Sequence, residues 1–285
     1  MGGKKSKPEP APGFDKPWRN VDWTKKQQLE TELRAIRLNH PQLQHLRILL
    51  HGPVGAGKSC FINSVQSSLH GELKNMAYEQ SYAKKSFTKI YKSYNITNRN
   101  SEALPFALND VMGLEEMTEE GMHSDDVVKA MMGHIREGYK FNPVSPICND
   151  DPFFIREPSL QDKVHCLVSV VPASAISRMD TGIIDKIGEV RSKASSLGIP
   201  HVVIMTKVDE VCPLVKNDLT QIYRSRKIHE KMQHCSYKVG PPLKCVFPVC
   251  NYHKEIEIDN NKDVLILMAL LHIVKSARDY VATVA

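Results

Sequence analysis

The sequence predicts an α/β protein with a mostly parallel sheet and helices on both of its faces. From residue 46 onward, short apolar runs rich in branched residues alternate with longer helical stretches. Near-continuous apolar strands of this kind are typical of a parallel sheet that is covered on both sides. A glycine-rich loop follows the first run, and the tetrapeptide TKVD follows a later one. The positions of both motifs fit a parallel sheet, because ligands of such sheets bind beyond the carboxyl ends of the strands.

The amino-terminal part of the chain divides into an arm and a helical segment. Residues 1–17 are rich in Lys, Pro and Gly with almost no bulky apolar groups, so we expect a flexible basic arm there. Residues 18–45 are expected to form a helical segment that packs on the core. Within it, apolar residues recur at helical spacing over 22–38, and Thr24 stands where a helix cap would.

One main domain is predicted over residues 46–285. Buried strands are predicted over residues 46–51, 104–108, 164–171, 201–205 and 244–249, with an alternating edge strand over 91–96. The apolar run at 264–274 is too short to span a bilayer, so we expect it to be a buried helix. A long insertion is predicted at about 114–163, with an acidic helical part and a part rich in proline and aromatic residues. It predicts either a surface for protein partners or a packed insertion.

Composition limits the class of protein. The 285 residues are 41% hydrophobic and 25% charged, as in ordinary globular proteins, so one large core is expected. The net charge of +6 is spread along the chain without a long basic tract, which disfavours nucleic acid as a partner. Seven cysteines without a C-x-x-C pair argue against a disulfide framework and predict a cytoplasmic protein. Cys245, Cys250 and His253 lack a fourth ligand at a spacing that fits a metal site.

The first residues fit a lipidation pattern. MGGKKS matches M-G-x-x-x-S/T, in which Gly2 carries a myristoyl group after Met1 is removed. One such chain holds a membrane only marginally, so Lys4, Lys5 and Lys7 would add an electrostatic contribution to peripheral membrane contact. The other interpretation is a solubilising tail.

The strongest motif is GPVGAGKS, residues 52–59, which fits G-x-x-x-x-G-K-S/T between a predicted strand and a predicted helix. The glycines let the backbone N–H groups face a phosphate, Lys58 supplies a positive charge, and the Ser59 hydroxyl can ligate Mg²⁺. The predicted nucleotide-contacting residues of this loop are Gly52, Gly55, Ala56, Gly57, Lys58, Ser59 and Cys60.

The nucleotide base is suggested by TKVD, residues 206–209, which fits the Asn/Thr-K-x-D motif of proteins that bind GTP and GDP. Asp209 can accept two hydrogen bonds from guanine, which adenine cannot supply. Lys207 would lie along the base plane, and Thr206 begins the motif. After the last strand, Cys250 and Asn251 stand in position for the final base contact, although CNY lacks the usual Ser-Ala-Lys character.

DVMG, residues 110–113, fits the D-x-x-G element between those two motifs. Asp110 would reach Mg²⁺ through water, and the Gly113 N–H would sense the γ-phosphate. Lys58, Ser59, Asp110 and Gly113 are therefore the predicted catalytic residues. Many small GTPases place a glutamine next, which orients the attacking water, but here that position is Leu114. At most a slow GTPase is expected, unless Glu115, Glu116, a partner or a second copy of the chain supplies a group.

The threonine that would complete the Mg²⁺ site is ambiguous. Ser86 and Thr88 in KKSFTKIY lie before the edge strand, and Thr97 lies after it. Position relative to that strand favours Thr88 or Ser86. Thr88 is accordingly the predicted third metal ligand.

With these motifs in place, the chain resembles the interferon-induced protein 44 family. The segments that carry the resemblance run from about Trp18 to the carboxyl end, and they are RILLHGPVGAGKSCFINSV, LPFALNDVMGL, REGYKFNP, LQDKVHCLVSVVPAS, HVVIMTKVD and KDVLILMAL. The resemblance implies a P-loop NTPase fold of the small-GTPase type, a cytoplasmic location and a role in the interferon-induced innate or antiviral response. Longer relatives carry a TLDc domain where this chain has a short basic arm.

Three functions fit these residues. The first is a GTP-binding switch or assembly module with slow or partner-dependent hydrolysis. The second is a non-enzymatic scaffold that binds GTP and works through protein contacts. The third, an ATP-using P-loop enzyme, would require adenine binding that does not depend on Asp209.

Overall fold

The computed structural model describes residues 13–38, 40–77, 89–115 and 121–284. It is an α/β fold built on one six-stranded sheet, in the order β2-β3-β1-β4-β5-β6. The strands are β1 (Leu46–His51), β2 (Lys92–Thr97), β3 (Ala103–Asp110), β4 (Cys166–Pro172), β5 (His201–Thr206) and β6 (Val246–Pro248). The predicted fold class is confirmed, and every predicted strand is present with small shifts at its ends.

Eight α-helices are found within the described residues. They are α1 (Lys26–Arg34), α2 (Lys58–His70), α3 (Ser124–Met131), α4 (Thr181–Ser196), α5 (Val208–Val211), α6 (Pro213–Asn217), α7 (Arg226–Val239) and α8 (Asn260–Val284). The apolar run at 264–274 lies inside α8 and is largely buried, as predicted. In the part of the chain that the structure describes, no helix has the length and apolar character needed to cross a bilayer.

The strand pairing brings the carboxyl ends of the strands to one edge of the sheet. β1 pairs in parallel with β3 and with β4, so that Leu50 faces Asp110 and His51 faces Ser169. β5 continues the parallel order next to β4, and β6 follows it. The edge strand β2 is antiparallel to β3, in keeping with its alternating sequence. The loops after β1, β3, β5 and β6 therefore meet on the same side.

Each face of the sheet is covered by its own set of helices. On one face, apolar residues of α1, α2 and α8 pack on β1 and β5, as shown by Leu33, Phe61, Ile266 and Ile204 in one buried cluster. On the other face, α3, α4 and α7 pack on the opposite side chains of the same strands. This double cover explains why the parallel strands are mostly apolar on both sides.

The amino-terminal segment differs from the sequence-based expectation. α1 begins at Lys26, and Thr24 does not cap it, because the Thr24 N–H and hydroxyl both donate to the Asp22 carboxylate at 3.0 and 2.6 Å. Of the predicted flexible arm over residues 1–17, the structure describes residues 13–17. Here the Phe14 N–H donates to the Arg224 carbonyl at 2.7 Å. The candidate lipidation site Gly2 lies outside the described residues.

The described part of the 114–163 insertion is packed against the sheet. It contains α3, and it contributes Met122, Val127, Ile135 and Phe141 to a buried core cluster. Among the two interpretations of this insertion, the packed one accounts for these residues. Glu116 falls in a stretch that the structure does not describe.

Candidate nucleotide-binding site

The predicted phosphate-binding loop GPVGAGKS, residues 52–59, is called the phosphate loop below. It joins the end of β1 to the start of α2, and its glycines have φ angles that other residues rarely adopt. Gly52 has a φ of 143° and Gly57 has a φ of 92°. A side chain at Gly52 would collide with the Val170 carbonyl of the neighbouring strand. These glycines let the loop turn directly above the sheet, so the N–H groups at the start of α2 point toward the loop opening.

Lys58 lies at the first position of α2 with 7% of its surface exposed. Its Nζ donates to the carbonyls of Gly52 and Pro53, both at 3.2 Å. Burial lowers the pKa of the Lys58 ammonium, and the nearby Asp110 carboxylate opposes that shift. The side chain is therefore folded along the loop, where a phosphate would supply the negative charge that a buried ammonium favours.

Ser59 and Asp110 come together from different elements. The Ser59 hydroxyl donates to Asp110 Oδ2 at 2.8 Å, and Asp110 is 1% exposed at the end of β3. A hydroxyl and a carboxylate are oxygen ligands of the type that Mg²⁺ prefers, and Mg²⁺ keeps several waters when it binds beside phosphates. Within the described ranges, no three His, Cys, Asp or Glu side chains form a metal cluster. The Ser59–Asp110 pair thus fits Mg²⁺ bound with a nucleotide rather than a closed protein metal cage.

Two further loops are hydrogen-bonded to the phosphate loop. The buried Thr206 hydroxyl at the end of β5 donates to the Ala56 carbonyl at 2.6 Å. Asn251, after β6, donates through Nδ2 to the Gly57 carbonyl at 3.1 Å. The predicted phosphate-binding and base-binding residues therefore lie on one connected surface.

Lys207 and Asp209 are placed by an unusual backbone turn. Lys207 has a φ of 58°, the left-handed region that few side chains adopt, and it leads directly into α5. Asp209 follows in the first turn of that helix. Lys207 is partly exposed, and its ammonium lies 4.0 Å from the Glu210 carboxylate. The turn therefore places the half-exposed Lys207 on one side and Asp209 on the other, beside the loop after β6.

Cys250, in the loop after β6, lies close enough to Asp209 for the carboxylate to influence its pKa. Burial raises the pKa of the Cys250 thiol to about 12, and the charge of Asp209 and its hydrogen bond with the thiol act in the same direction, against Lys262. The thiol therefore stays protonated, and its sulfur lies 4.0 Å from the Asn251 carbonyl oxygen.

A buried network that the sequence analysis did not find supports the loop after β6. Tyr252 donates through its hydroxyl to Asp263 Oδ1 at 2.7 Å, and its N–H donates to Ser64 Oγ at 2.9 Å. Asp263, at 0% exposure, also accepts a bond of 2.6 Å from Ser68 and pairs with Lys26 at 2.6 Å. The only signal for it in the sequence is an acid at the start of the apolar run KDVLILMAL.

The structure does not bring Thr97 to the Ser59–Asp110 pair. The Thr97 hydroxyl lies within 2.7 Å of Gln66 Nε2 and 2.9 Å of His70 Nε2, near the far end of α2. The preferred metal-ligand candidates Thr88 and Ser86 fall outside the described residues. The third metal ligand stays a prediction.

Comparison with known proteins identifies similar chains. No family model matches. The chain is 36% identical over 252 residues to human interferon-induced protein 44, covering 87% of this chain and 56% of that protein. It is 32% identical over 253 residues to human interferon-induced protein 44-like, covering 88% of this chain and 56% of that protein. The mouse interferon-induced protein 44 is 33% identical over 252 residues, with 87% and 59% covered. The chain spans little more than half the length of the curated relatives that it matches.

Proposed function

The chain belongs with the interferon-induced protein 44 and 44-like proteins, to which it is homologous, and from that premise we propose that it is a guanine-nucleotide-binding protein of the interferon response. The observation that carries the nucleotide part is the joining of three loops. Thr206 and Asn251, which follow two different strands, both hydrogen-bond the carbonyls of the phosphate loop. The proposed role in the interferon response rests on the names of the homologues.

The phosphate end of this site would be held by backbone N–H groups and one ammonium. Lys58 lies along the loop, and the start of α2 provides N–H donors of the kind that bind phosphate. Ser59 and Asp110 would hold Mg²⁺, which neutralises charge on the phosphates when it is bound. These groups favour a polyphosphate over a single small anion. The N–H donors and Lys58 lie along one loop, and the Ser59–Asp110 pair that would hold Mg²⁺ lies beside it.

The base end favours guanine. The Asp209 carboxylate is an acceptor-only group that can take the N1–H and amine of guanine, whereas adenine presents a different pattern. Cys250, which lies close to Asp209, stays a protonated thiol. A site built to accept those hydrogen bonds rejects a base that cannot make them, because the Asp209 carboxylate would be left without its donors.

Hydrolysis at this site would be slow. Leu114 follows the D-x-x-G glycine and is 1% exposed, so it offers no group that could orient an attacking water. The function proposed is therefore a nucleotide-dependent switch or assembly module whose turnover depends on a partner. A binding-only scaffold is the second candidate, and the same apolar residue favours it.

Direct binding of fluorescent guanine and adenine nucleotides tests the proposal. Wild-type protein with Mg²⁺ should bind guanine nucleotides, and Lys58→Ala and Asp209→Ala should each weaken that binding by about tenfold or more, a loss typical of charge-assisted hydrogen bonds. Lys254→Ala, at an exposed lysine, is the matched control. Failure of the wild type to bind either nucleotide would reject the proposal, and adenine binding that survives Asp209→Ala would support an ATP-using enzyme instead.

Phosphate release separates the two guanine-binding candidates. A slow GTPase should release phosphate, and its rate per protein molecule should rise with protein concentration or with an added partner. A binding-only scaffold should release none at any concentration while still binding GTP.

A further inference from the structure

The phosphate loop is bonded to the turn that follows β3. The Leu114 N–H donates to the Gly52 carbonyl at 3.0 Å, and the Val54 N–H donates to the Leu114 carbonyl at 3.2 Å. These two bonds make a parallel bridge between Pro53 and Leu114. The bridge extends the pairing of β1 with β3 beyond the ends of both strands.

Side chains fill the space beside this bridge. Leu114 is 1% exposed, and Gly113 lies directly against Val54. A β-carbon placed on Gly113 would come within 2.8 Å of Val54 Cα and 2.9 Å of Val54 N, and it would also collide with Val54 Cγ2. The glycine and the valine are therefore in close contact, with no gap between the phosphate loop and the D-x-x-G turn at this point.

The contact lies where a third phosphate would have to fit. In sites of this type the γ-phosphate lies between the phosphate loop and the D-x-x-G glycine, while the β-phosphate is held by the loop N–H groups and the lysine. The Val54 and Ala56 N–H groups are already used, by the Leu114 and Pro53 carbonyls. A diphosphate could be bound without disturbing the bridge, whereas a triphosphate would push Val54 and Gly113 apart.

We infer that this site selects guanosine diphosphate over guanosine triphosphate, with the Pro53–Leu114 bridge as the selecting feature. The inference rests on the proposed function, since it concerns which guanine nucleotide the same site prefers. Triphosphate binding must break two backbone hydrogen bonds that diphosphate binding keeps. Two such bonds correspond to a preference of about 30-fold for the diphosphate.

Calorimetric titration of the full chain with GDP and with the non-hydrolysable analogue GppNHp, both with Mg²⁺, tests the inference. Wild-type protein should bind GDP about 30-fold more tightly than GppNHp. Val54→Ala and Val54→Gly remove the side chain that packs against Gly113, so both should loosen the bridge and narrow the ratio of the two affinities severalfold. Val128→Ala removes the same atoms from a half-buried valine on α3, away from the loop, and should leave the ratio unchanged.

Amide hydrogen exchange on the wild type provides a readout that does not depend on any variant folding. The Val54 and Leu114 amides should be protected in the GDP complex and should exchange faster in the GppNHp complex. Equal affinities for GDP and GppNHp, or equal protection of these amides in the two complexes, would overturn the inference while leaving guanine-nucleotide binding intact. If neither nucleotide binds, the proposed function fails together with the inference.

Discussion

The Thr206 hydroxyl donates a 2.6 Å hydrogen bond to the Ala56 carbonyl, and this bond joins the predicted base-recognition sequence to the predicted phosphate loop. Thr206 is fully buried at the end of β5, so the bond is shielded from water. The two motifs are 150 residues apart in the chain and share one short bond. A change at Thr206 should therefore alter the affinity for the phosphates of a nucleotide.

Thr206→Val tests this link. The replacement has the same shape but no hydroxyl, so the Ala56 carbonyl would lose its partner, and the free energy of unfolding should fall by about 1–3 kcal/mol. Nucleotide affinity should weaken in the same variant, because the loop is less well held. Thr206→Ser keeps the hydroxyl and is the control. Denaturant unfolding and nucleotide titration measure both effects, and a Val variant that matches wild type in both would contradict the link.

Gly52→Ala tests the shape of the phosphate loop. Gly52 has a φ of 143°, and a β-carbon there would meet the Val170 carbonyl of β4. Because the obstacle is backbone in the centre of the sheet, we expect a loss of about 3 kcal/mol or more in the free energy of unfolding. Gly188→Ala is the control, since a β-carbon at that helical glycine meets nothing within 4 Å. A Gly52→Ala protein as stable as wild type would show that the loop can relax freely.

Lys26→Met tests the buried network around Asp263. Lys26 on α1 pairs with the Asp263 carboxylate at 2.6 Å, and Asp263 is fully buried. Removing the cation leaves a buried carboxylate with only hydroxyl donors, so the free energy of unfolding should fall by about 2–4 kcal/mol, with some discount because the lysine is partly exposed. Lys25→Met, at the exposed neighbouring lysine, should change stability little. Equal thermal unfolding of the two variants would refute a stabilising role for the pair.

Three side chains below the phosphate loop predict a pH dependence of stability. Ser169 Oγ lies 2.7 Å from Nε2 of both His51 and His201. Burial, with a smaller effect of Arg191, lowers the pKa of His201 to about 3. Burial, followed by His201 and Lys58, also lowers the pKa of His51 well below its usual 6.5. Both rings are therefore neutral in the folded protein at neutral pH.

The sign of the effect follows from which state binds more protons. Between the folded and unfolded pKa values the unfolded chain binds more protons, so stability is fully present above about pH 6.5 and is lost as the pH falls toward 3. Each histidine should contribute a slope of about 1.4 kcal/mol per pH unit within that window. Urea unfolding between pH 7 and 5 measures the slope.

His201→Asn isolates one part of that slope. The variant should be less stable at pH 7, and its stability should fall less steeply with decreasing pH than that of the wild type. His253→Asn removes an exposed imidazole and is the control. An identical slope in wild type and His201→Asn would contradict the account of the buried rings.

The fold could be predicted from the sequence because its signals are local. The run LRILLH matches β1 residue for residue, because a parallel strand covered on both faces is mostly apolar. The alternation of YKSYNI, residues 91–96, indicated an edge strand, and β2 occupies Lys92–Thr97 at the edge of the sheet. The predicted Thr24 cap was wrong because the Thr24 hydroxyl donates to the Asp22 carboxylate and the helix begins at Lys26, a local choice that spacing does not decide.

The candidate site was predictable only in part, because its supports are long-range. The glycine loop and TKVD are continuous stretches, so their residues could be named. The contacts of Asp263 with Ser68, 195 residues away, and of Leu114 with Gly52 and Val54 depend on how the loops meet in three dimensions. Leu114 could be recognised as unable to orient water, but its backbone bonds to the phosphate loop could not.

Guanine-nucleotide binding at this site is tested by titration of the purified full chain with GDP and with ADP in the presence of Mg²⁺. GDP should bind, and ADP should bind at least about 100-fold more weakly, because Asp209 would be left without its hydrogen-bond donors. Asp209→Asn should lose the preference for GDP. Equal binding of ADP and GDP, or no binding of either, would contradict the account.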